Sequence, residues 1–196
     1  MTTAYRATTE VPPLVRQAQA CAQESGFTQS CTDETGRLLR LLAGQVRGGI
    51  VGEIGTGCGV GAAWIINGLA SGVQFVTIEL DAARAEAARA LFAPFPHVTV
   101  LTGDWRALLP HEPFALLFAD GGKAKEGGAD VLRRALAPGG TLVLDDLTPE
   151  DRWPPEWRGQ RDPVRDYWLN HPDLIAIELH TTPTSCVILA VPVPDR

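Results

Sequence analysis

Residues 50 to 61 read Ile50-Val51-Gly52-Glu53-Ile54-Gly55-Thr56-Gly57-Cys58-Gly59-Val60-Gly61, and an apolar run that begins at Gln74 closes on Glu79. The first half of the segment is β-branched and apolar, the second half is mostly glycine, and residues 61 to 69 continue as a helix. Such a pattern is a strand breaking into a turn ahead of a helix, where glycines let backbone N–H groups approach a ligand closely. The acid ending the next strand falls beside the same crevice, where a carboxylate accepts hydrogen bonds from both hydroxyls of a ribose. Together the two segments describe a site for an adenosine-containing cofactor, with Gly55, Gly57, Val60 and Gly61 at the turn and Glu79 at the ribose.

Two cofactor classes use this arrangement. Gly57-Cys58-Gly59-Val60-Gly61-Ala62 satisfies the looser form of the dinucleotide fingerprint, so a nicotinamide or flavin enzyme stays open on the glycines alone. Glu53 shifts the balance. A carboxylate inside a strand buried on both faces is expensive unless paired, and the ammonium of S-adenosylmethionine is one such partner. The plainer alternative pairs Glu53 with an internal arginine or a backbone N–H.

Composition restricts the class further. The chain has 196 residues, enough for one substantial core, and 17 basic against 23 acidic side chains give a net charge of -6. That balance, with no basic stripe, argues against a nucleic-acid surface. Cys21, Cys31, Cys58 and Cys186 form no C-x-x-C pair and read as reduced thiols. The N-terminal residues lack an apolar signal core and no run reaches membrane-spanning length, so no membrane partner and a cytoplasmic location are expected.

Element order is legible along the chain. Helices are expected at 11–26 and 32–47. The second carries Leu38, Leu39, Leu41 and Leu42 on one broad face, with Thr32 as N-cap ahead of Asp33 and Glu34. Strand 50–55, helix 61–69, strand 74–79, helix 81–92, strand 97–102, a helical turn at 105–109, strand 114–119, helix 126–137 and strand 141–145 then alternate. This is the βαβ order of a Rossmann-like doubly wound α/β sheet. Residues 147 to 163 hold four prolines and two tryptophans and read as a loop or lid. A helix at 164–170 and strands at 174–180 and 186–193 follow, giving a C-terminal antiparallel strand pair at the sheet edge. The whole reads as one domain: N-terminal helices (1–47), cofactor-binding core (48–146), lid (147–163), and C-terminal helix and strands (164–196).

With that ending, residues 28 to 193 resemble the class I S-adenosylmethionine-dependent methyltransferases, within them the small-molecule O-methyltransferases of the catechol and caffeoyl-CoA type. Thr32 to Leu39 is similar to the family's segment before the first strand. Glu53-Ile54-Gly55-Thr56-Gly57-Cys58-Gly59-Val60-Gly61 resembles its glycine motif, with Val60-Gly61 where Tyr-Ser is common. Gly103-Asp104 resembles its Gly-Asp motif. The resemblance implies Asp104 at the adenine amino group, unless it merely caps the following turn, and Trp105 on the adenine face or in the core. Phe118-Ala119-Asp120-Gly121-Gly122-Lys123 resembles the family's Phe-Ile-Asp-Ala-Asp-Lys, and Leu144-Asp145-Asp146 its Asp-Asn pair.

The resemblance therefore implies a divalent cation, Mg²⁺ first, on Asp120, Asp145 and Asp146, and Lys123 beside the acceptor hydroxyl with Asp120 also catalytic. Three carboxylates at neighbouring strand ends repel unless a hard cation neutralises them. The implied activity is methyl transfer from S-adenosylmethionine to a hydroxyl of a small aromatic acceptor. The 37–46 helix and the resemblance suggest a homodimer. An NAD(P)-dependent oxidoreductase, and a cofactor-binding module using Trp153, Pro154, Pro155 and Trp157 as a protein interface, are the alternatives.

Overall fold

The computed structural model describes residues 10–194, and at positions 122, 123 and 126 the backbone alone. Its centre is a seven-stranded sheet. The strands are β1 (Ile50–Ile54), β2 (Gln74–Glu79), β3 (Val98–Thr102), β4 (Phe114–Ala119), β5 (Leu136–Leu147), β6 (Leu174–Thr182) and β7 (Ser185–Pro192). They lie in the order β3-β2-β1-β4-β5-β7-β6. β1, β2, β3, β4 and β5 pair in parallel, whereas β7 runs antiparallel between β5 and β6. This is the expected doubly wound sheet with an antiparallel pair at one edge. Strand order reverses between β1 and β4, and the carboxyl ends of strands at such a switch point leave an open crevice.

Strand residues alternate between two cores, one on each face, as the period of two requires. Val143 and Val187 point into the first core, Leu142, Leu144, Cys186 and Ile188 into the second. The first face carries α1 (Pro13–Ser25), α2 (Asp33–Ala43), α3 (Val60–Ile66) and α4 (Ala82–Phe92) around Trp64, Phe75 and Phe118. The second carries the 3₁₀ turn Trp105–His111, α5 (Gly122–Gly127), α6 (Ala129–Arg134) and α7 (Pro163–Asn170) around Phe114, Leu117 and Trp168. Among the described residues no helix is long and apolar enough to cross a membrane.

Differences from the sequence reading have local causes. The expected helix at 126–137 begins earlier and is divided: α5 stops at Gly127 and α6 ends at Arg134. Gly128 is the break, because a Cβ there would lie 2.8 Å from the Trp105 ring and 2.7 Å from the Ala124 carbonyl. Close packing thus overrides periodicity. β5 starts at Leu136, five residues before the expected strand, because Leu136 already pairs with Phe114. α2 is capped as expected, with Thr32 Oγ1 accepting from the Thr35 N–H at 3.2 Å, but it ends at Ala43. Only Leu39 of its leucines is fully buried, and Leu41 is 60% exposed. The four-leucine face is narrower than a helical stripe suggests, since one helix side meets the core.

Candidate active site

A cleft of about 390 Å³ opens at the β1/β4 switch point. Glu53, Gly55, Thr56, Gly57, Val60 and Gly61 line it from β1 and the turn into α3, and Glu79 and Leu80 from the end of β2. Gly103, Asp104 and Trp105 come from the end of β3, Asp120 and Gly121 from β4, and Asp146 from β5. Residues expected from the sequence at the cofactor site therefore converge on one crevice, although 93 positions separate Glu53 from Asp146.

Glu53 is fully buried at the end of β1. Thr77 donates to its Oε2 at 2.5 Å, and Thr56 lies 2.6 Å from the Thr77 hydroxyl, so a buried hydroxyl relay holds one oxygen. The other, Oε1, has no hydrogen-bond partner among the described residues. A Cβ at Gly61 would stand 2.6 Å from that oxygen, which explains glycine there. Burial drives the Glu53 pKa to about 8, with Thr77 opposing and the Glu79 charge adding. A neutral, half-satisfied carboxyl facing a cleft is the state expected of a group awaiting a cationic partner. Among the described residues no arginine or backbone N–H pairs with it, as the plainer reading from sequence would require.

Glu79 is engaged before any ligand arrives. Its Oε2 accepts from the Gly57 N–H at 2.8 Å, and its Oε1 from the Asp81 N–H and the Arg84 guanidinium, both at 2.9 Å. Arg84 in turn lies over the Phe27 ring, 5.2 Å from its centroid. Gly57 has φ +53°, and a Cβ on it would meet the Phe27 ring at 2.8 Å. Other N–H groups of the turn are also used, Gly55 and Thr56 by the Ile78 carbonyl and Gly59 by that of Thr56. The turn thus contributes a close, side-chain-free floor and fixes Glu79, more than the bare N–H cradle expected from its glycines.

Asp104 caps the 3₁₀ turn, accepting from the Arg106 N–H at 3.0 Å, and also lines the cleft. Trp105 is buried among Leu108, Ala124 and Leu132 while still bordering the cleft, with the Arg106 guanidinium 4.7 Å from its ring centroid.

At the other end Asp120, Asp145 and Asp146 bring one carboxylate oxygen each to within 4.8 Å of one another. Asp145 is buried, and its Oδ1 has no partner among the described residues. Asp146 has φ +60°, a left-handed conformation tolerated by aspartate that turns its carboxylate toward Asp120. Burial first, then the charges of Asp146 and Asp145, push Asp120 well above the usual carboxylate range. Burial raises Asp145 to about 6 against the Asp146 N–H that it accepts. These are carboxylates short of positive charge. The donor set fits a hard cation: three carboxylates, one orphaned buried oxygen, and an open side toward the cleft. Lys123, expected beside the acceptor, has its side chain outside the described residues.

Residues missed by the sequence reading complete the walls. Phe27, Gln29, Ser30 and Cys31, between α1 and α2, line the cleft, as do Arg84 and Lys125. Burial, then the charges of Asp145, Asp120, Glu53 and Asp33, push the Cys31 thiol well above its usual range, so it is a neutral neighbour of the acid trio. None of residues 147–163 lines the cleft. Trp153 instead donates to the Thr148 carbonyl at 3.0 Å and packs under Arg165, which also binds Asp162, Glu178 and Thr148. The expected lid is pinned to α7 and β6. Glu178, His180 and Cys186 also gather within 4.8 Å, a clustering the histidine spacing does not reveal, but Arg165 holds both Glu178 oxygens.

Residues 53–147 match a family described as a methyltransferase domain. The sheet and its helices have the class I methyltransferase fold. Solved structures extend the likeness over nearly the full length. The O-methyltransferase TomG of Streptomyces achromogenes, involved in tomaymycin synthesis and solved with S-adenosylmethionine, is 21% identical, covers 97% of this chain and 94% of its own, and has a TM-score of 0.81. An O-methyltransferase of Bacillus cereus in complex with S-adenosylhomocysteine is 21% identical, with 96% and 94% coverage and a TM-score of 0.77. The S-adenosylhomocysteine-bound methyltransferase PaMTH1 of Podospora anserina is 19% identical, with 97% and 93% coverage and a TM-score of 0.74. No curated protein matches the sequence. A methyltransferase domain leaves the oxidoreductase reading without support, and the matched stretch spans every residue from Glu53 through the acid trio.

Proposed function

We propose that this methyltransferase moves the methyl group of S-adenosylmethionine to a hydroxyl of a small, aromatic acceptor, assisted by a divalent cation. The observation carrying the proposal is one cleft with an unpaired buried Glu53 and a ribose-height Glu79 at one end and three converging aspartates at the other. In this reading Glu53 ionises against the cofactor ammonium, Glu79 accepts from the ribose hydroxyls, and Asp104 and Trp105 border the adenine. The glycine floor at Gly55, Gly57 and Gly61 admits the methionine end, with Val60 beside it.

The acceptor then lies between the acid trio and the 27–31 segment. A cation on Asp120, Asp145 and Asp146 would lower the pKa of a nearby hydroxyl. The chain's own groups do the rest. The cleft walls align oxygen, methyl and sulfur so that one O–C bond forms as the S–C bond breaks and neutral S-adenosylhomocysteine leaves. The hydroxyl proton passes to solvent or to a base at the cleft mouth, the role proposed for Lys123. The protein acts in the cytoplasm, and its partner beyond the acceptor is a second copy of itself, meeting through apolar residues that stay exposed: Leu41 on α2 and Ile175 and Ile177 on the edge strand β6.

Calorimetric titration with S-adenosylhomocysteine and separately with NAD, followed by turnover on a catechol panel with Mg²⁺ or EDTA, tests the reading. Binding of S-adenosylhomocysteine alone and metal-dependent O-methylation are expected. NAD binding, or methyl transfer to nitrogen only, would refute it.

A further inference from the structure

The chain contains 17 basic side chains, and only Lys123 and Lys125 among them are lysines. Both lie on α5, which follows β4. Lys125 sits on α5, its Nζ donates to the Asp145 carbonyl at 2.9 Å, and it lies 3.6 Å from Asp146 Oδ2. Only 11% of its side chain is exposed, and it lines the cleft. Arginine's planar fork would clamp two carboxylate oxygens at once; an ammonium is a compact point charge that can come and go. The contact is also partial. Lys125 meets Asp146 and a backbone carbonyl, while the buried Asp145 Oδ1 keeps no partner among the described residues. α5 spans six residues and begins and ends on glycine, so its hold on the segment is weak.

We infer that Lys125 is the resident cation of the acid trio and is displaced into the cleft when a divalent ion binds. The inference rests on the metal reading above. Both cations need Asp146, and two positive charges a few ångströms apart in a low-dielectric site repel strongly, so occupancy by one excludes the other. Lys125 keeps its proton throughout. Without metal it neutralises part of the trio's charge; with metal its ammonium stands free in the cleft, beside whatever acceptor enters. Metal loading therefore both fills the trio and delivers a positive charge to the acceptor side.

Two measurements test the exchange. Mn²⁺ titration followed by the paramagnetic resonance of the free ion compares the native protein with Lys125→Met, which keeps most of the side chain's length and removes its charge. The variant should bind Mn²⁺ about tenfold more tightly, because the competing charge is gone. In the native protein, acetic anhydride labelling of Lys125 read by peptide mass spectrometry should rise severalfold with Mg²⁺ and fall back with EDTA. Equal or weaker Mn²⁺ binding by Lys125→Met, or labelling indifferent to Mg²⁺, overturns the exchange while leaving the metal site standing. Failure of both proteins to bind Mn²⁺ removes the metal reading and the exchange with it.

Discussion

Titrating S-adenosylhomocysteine into the protein between about pH 6 and about pH 9 probes Glu53 directly, because its pKa near 8 leaves it protonated in the free protein at neutral pH. Pairing with the ligand ammonium favours the ionised form, so binding expels the proton. Affinity should therefore rise with pH, by up to about tenfold per unit below 8, and level off above it. Calorimetry in buffers of different ionisation enthalpy should register release of close to one proton at about pH 7 and about half a proton at about pH 8.

The same group sets a stability trend in the free protein. Its pKa is raised from 4.5, so the stability present below about pH 4.5 is lost progressively as pH rises toward 8. At about 1.36 kcal/mol per pH unit the full loss is roughly 5 kcal/mol, an upper bound for relaxation around the site. Glu53→Gln removes that loss but leaves an amide hydrogen-bonding group where Oε1 has no partner, costing about 1–3 kcal/mol. The variant should thus be more stable than the native protein at about pH 8, by roughly 2 kcal/mol, while losing proton release and the pH dependence of binding. Affinity that falls as pH rises, or proton uptake on binding, would refute the pairing of Glu53 with an ammonium.

Glu79→Ala should weaken S-adenosylhomocysteine by about 1.5 to 3 kcal/mol in calorimetry, through loss of charge-assisted bonds to the ribose; unchanged affinity in a folded variant would restrict Glu79 to its bonds with Gly57, Asp81 and Arg84. Asp145→Asn should raise the Mg²⁺ concentration for half-maximal turnover while leaving cofactor affinity intact, and native metal affinity should fall as the solution is acidified below about pH 6, where Asp145 takes up its proton. A metal response identical to that of the native protein would exclude Asp145 as a ligand. Arg165→Met should destabilise the fold by about 2 to 4 kcal/mol in denaturant unfolding, since Asp162 and Glu178 lose a shared, mostly buried partner. Trp157 is half exposed and outside the cleft lining, so Trp157→Ala should leave cofactor affinity and turnover nearly unchanged; a large fall in turnover would support the 147–163 segment as a lid.

Local pattern determined much of this protein. The alternation of apolar strands with helices, the glycine break after Glu53 and the acids at strand ends are encoded within windows of a few residues, so Glu53, Glu79, Asp104, Asp120 and Asp146, which line the cleft, and Asp145 beside them were legible as residues of one site. Periodicity reports which side of an element is apolar, and says nothing of what that side meets. The division of α5 from α6 required knowing that Trp105 presses on Gly128, and the exposure of Leu41 required knowing where the core ends. Phe27 and Cys31 carry no motif; only the path of the chain between α1 and α2 brings them over the cleft. Lys125 was decided the same way. The family resemblance pointed to Lys123; the turn at Gly121 and the short α5 also carry Lys125 to the end of β5, 20 residues away in sequence. The sequence by itself specified which strand ends bear charge, because burial on a sheet tolerates acids there and little else. Tertiary structure decided which side chains close around those charges, since that depends on distances between segments that no local window contains.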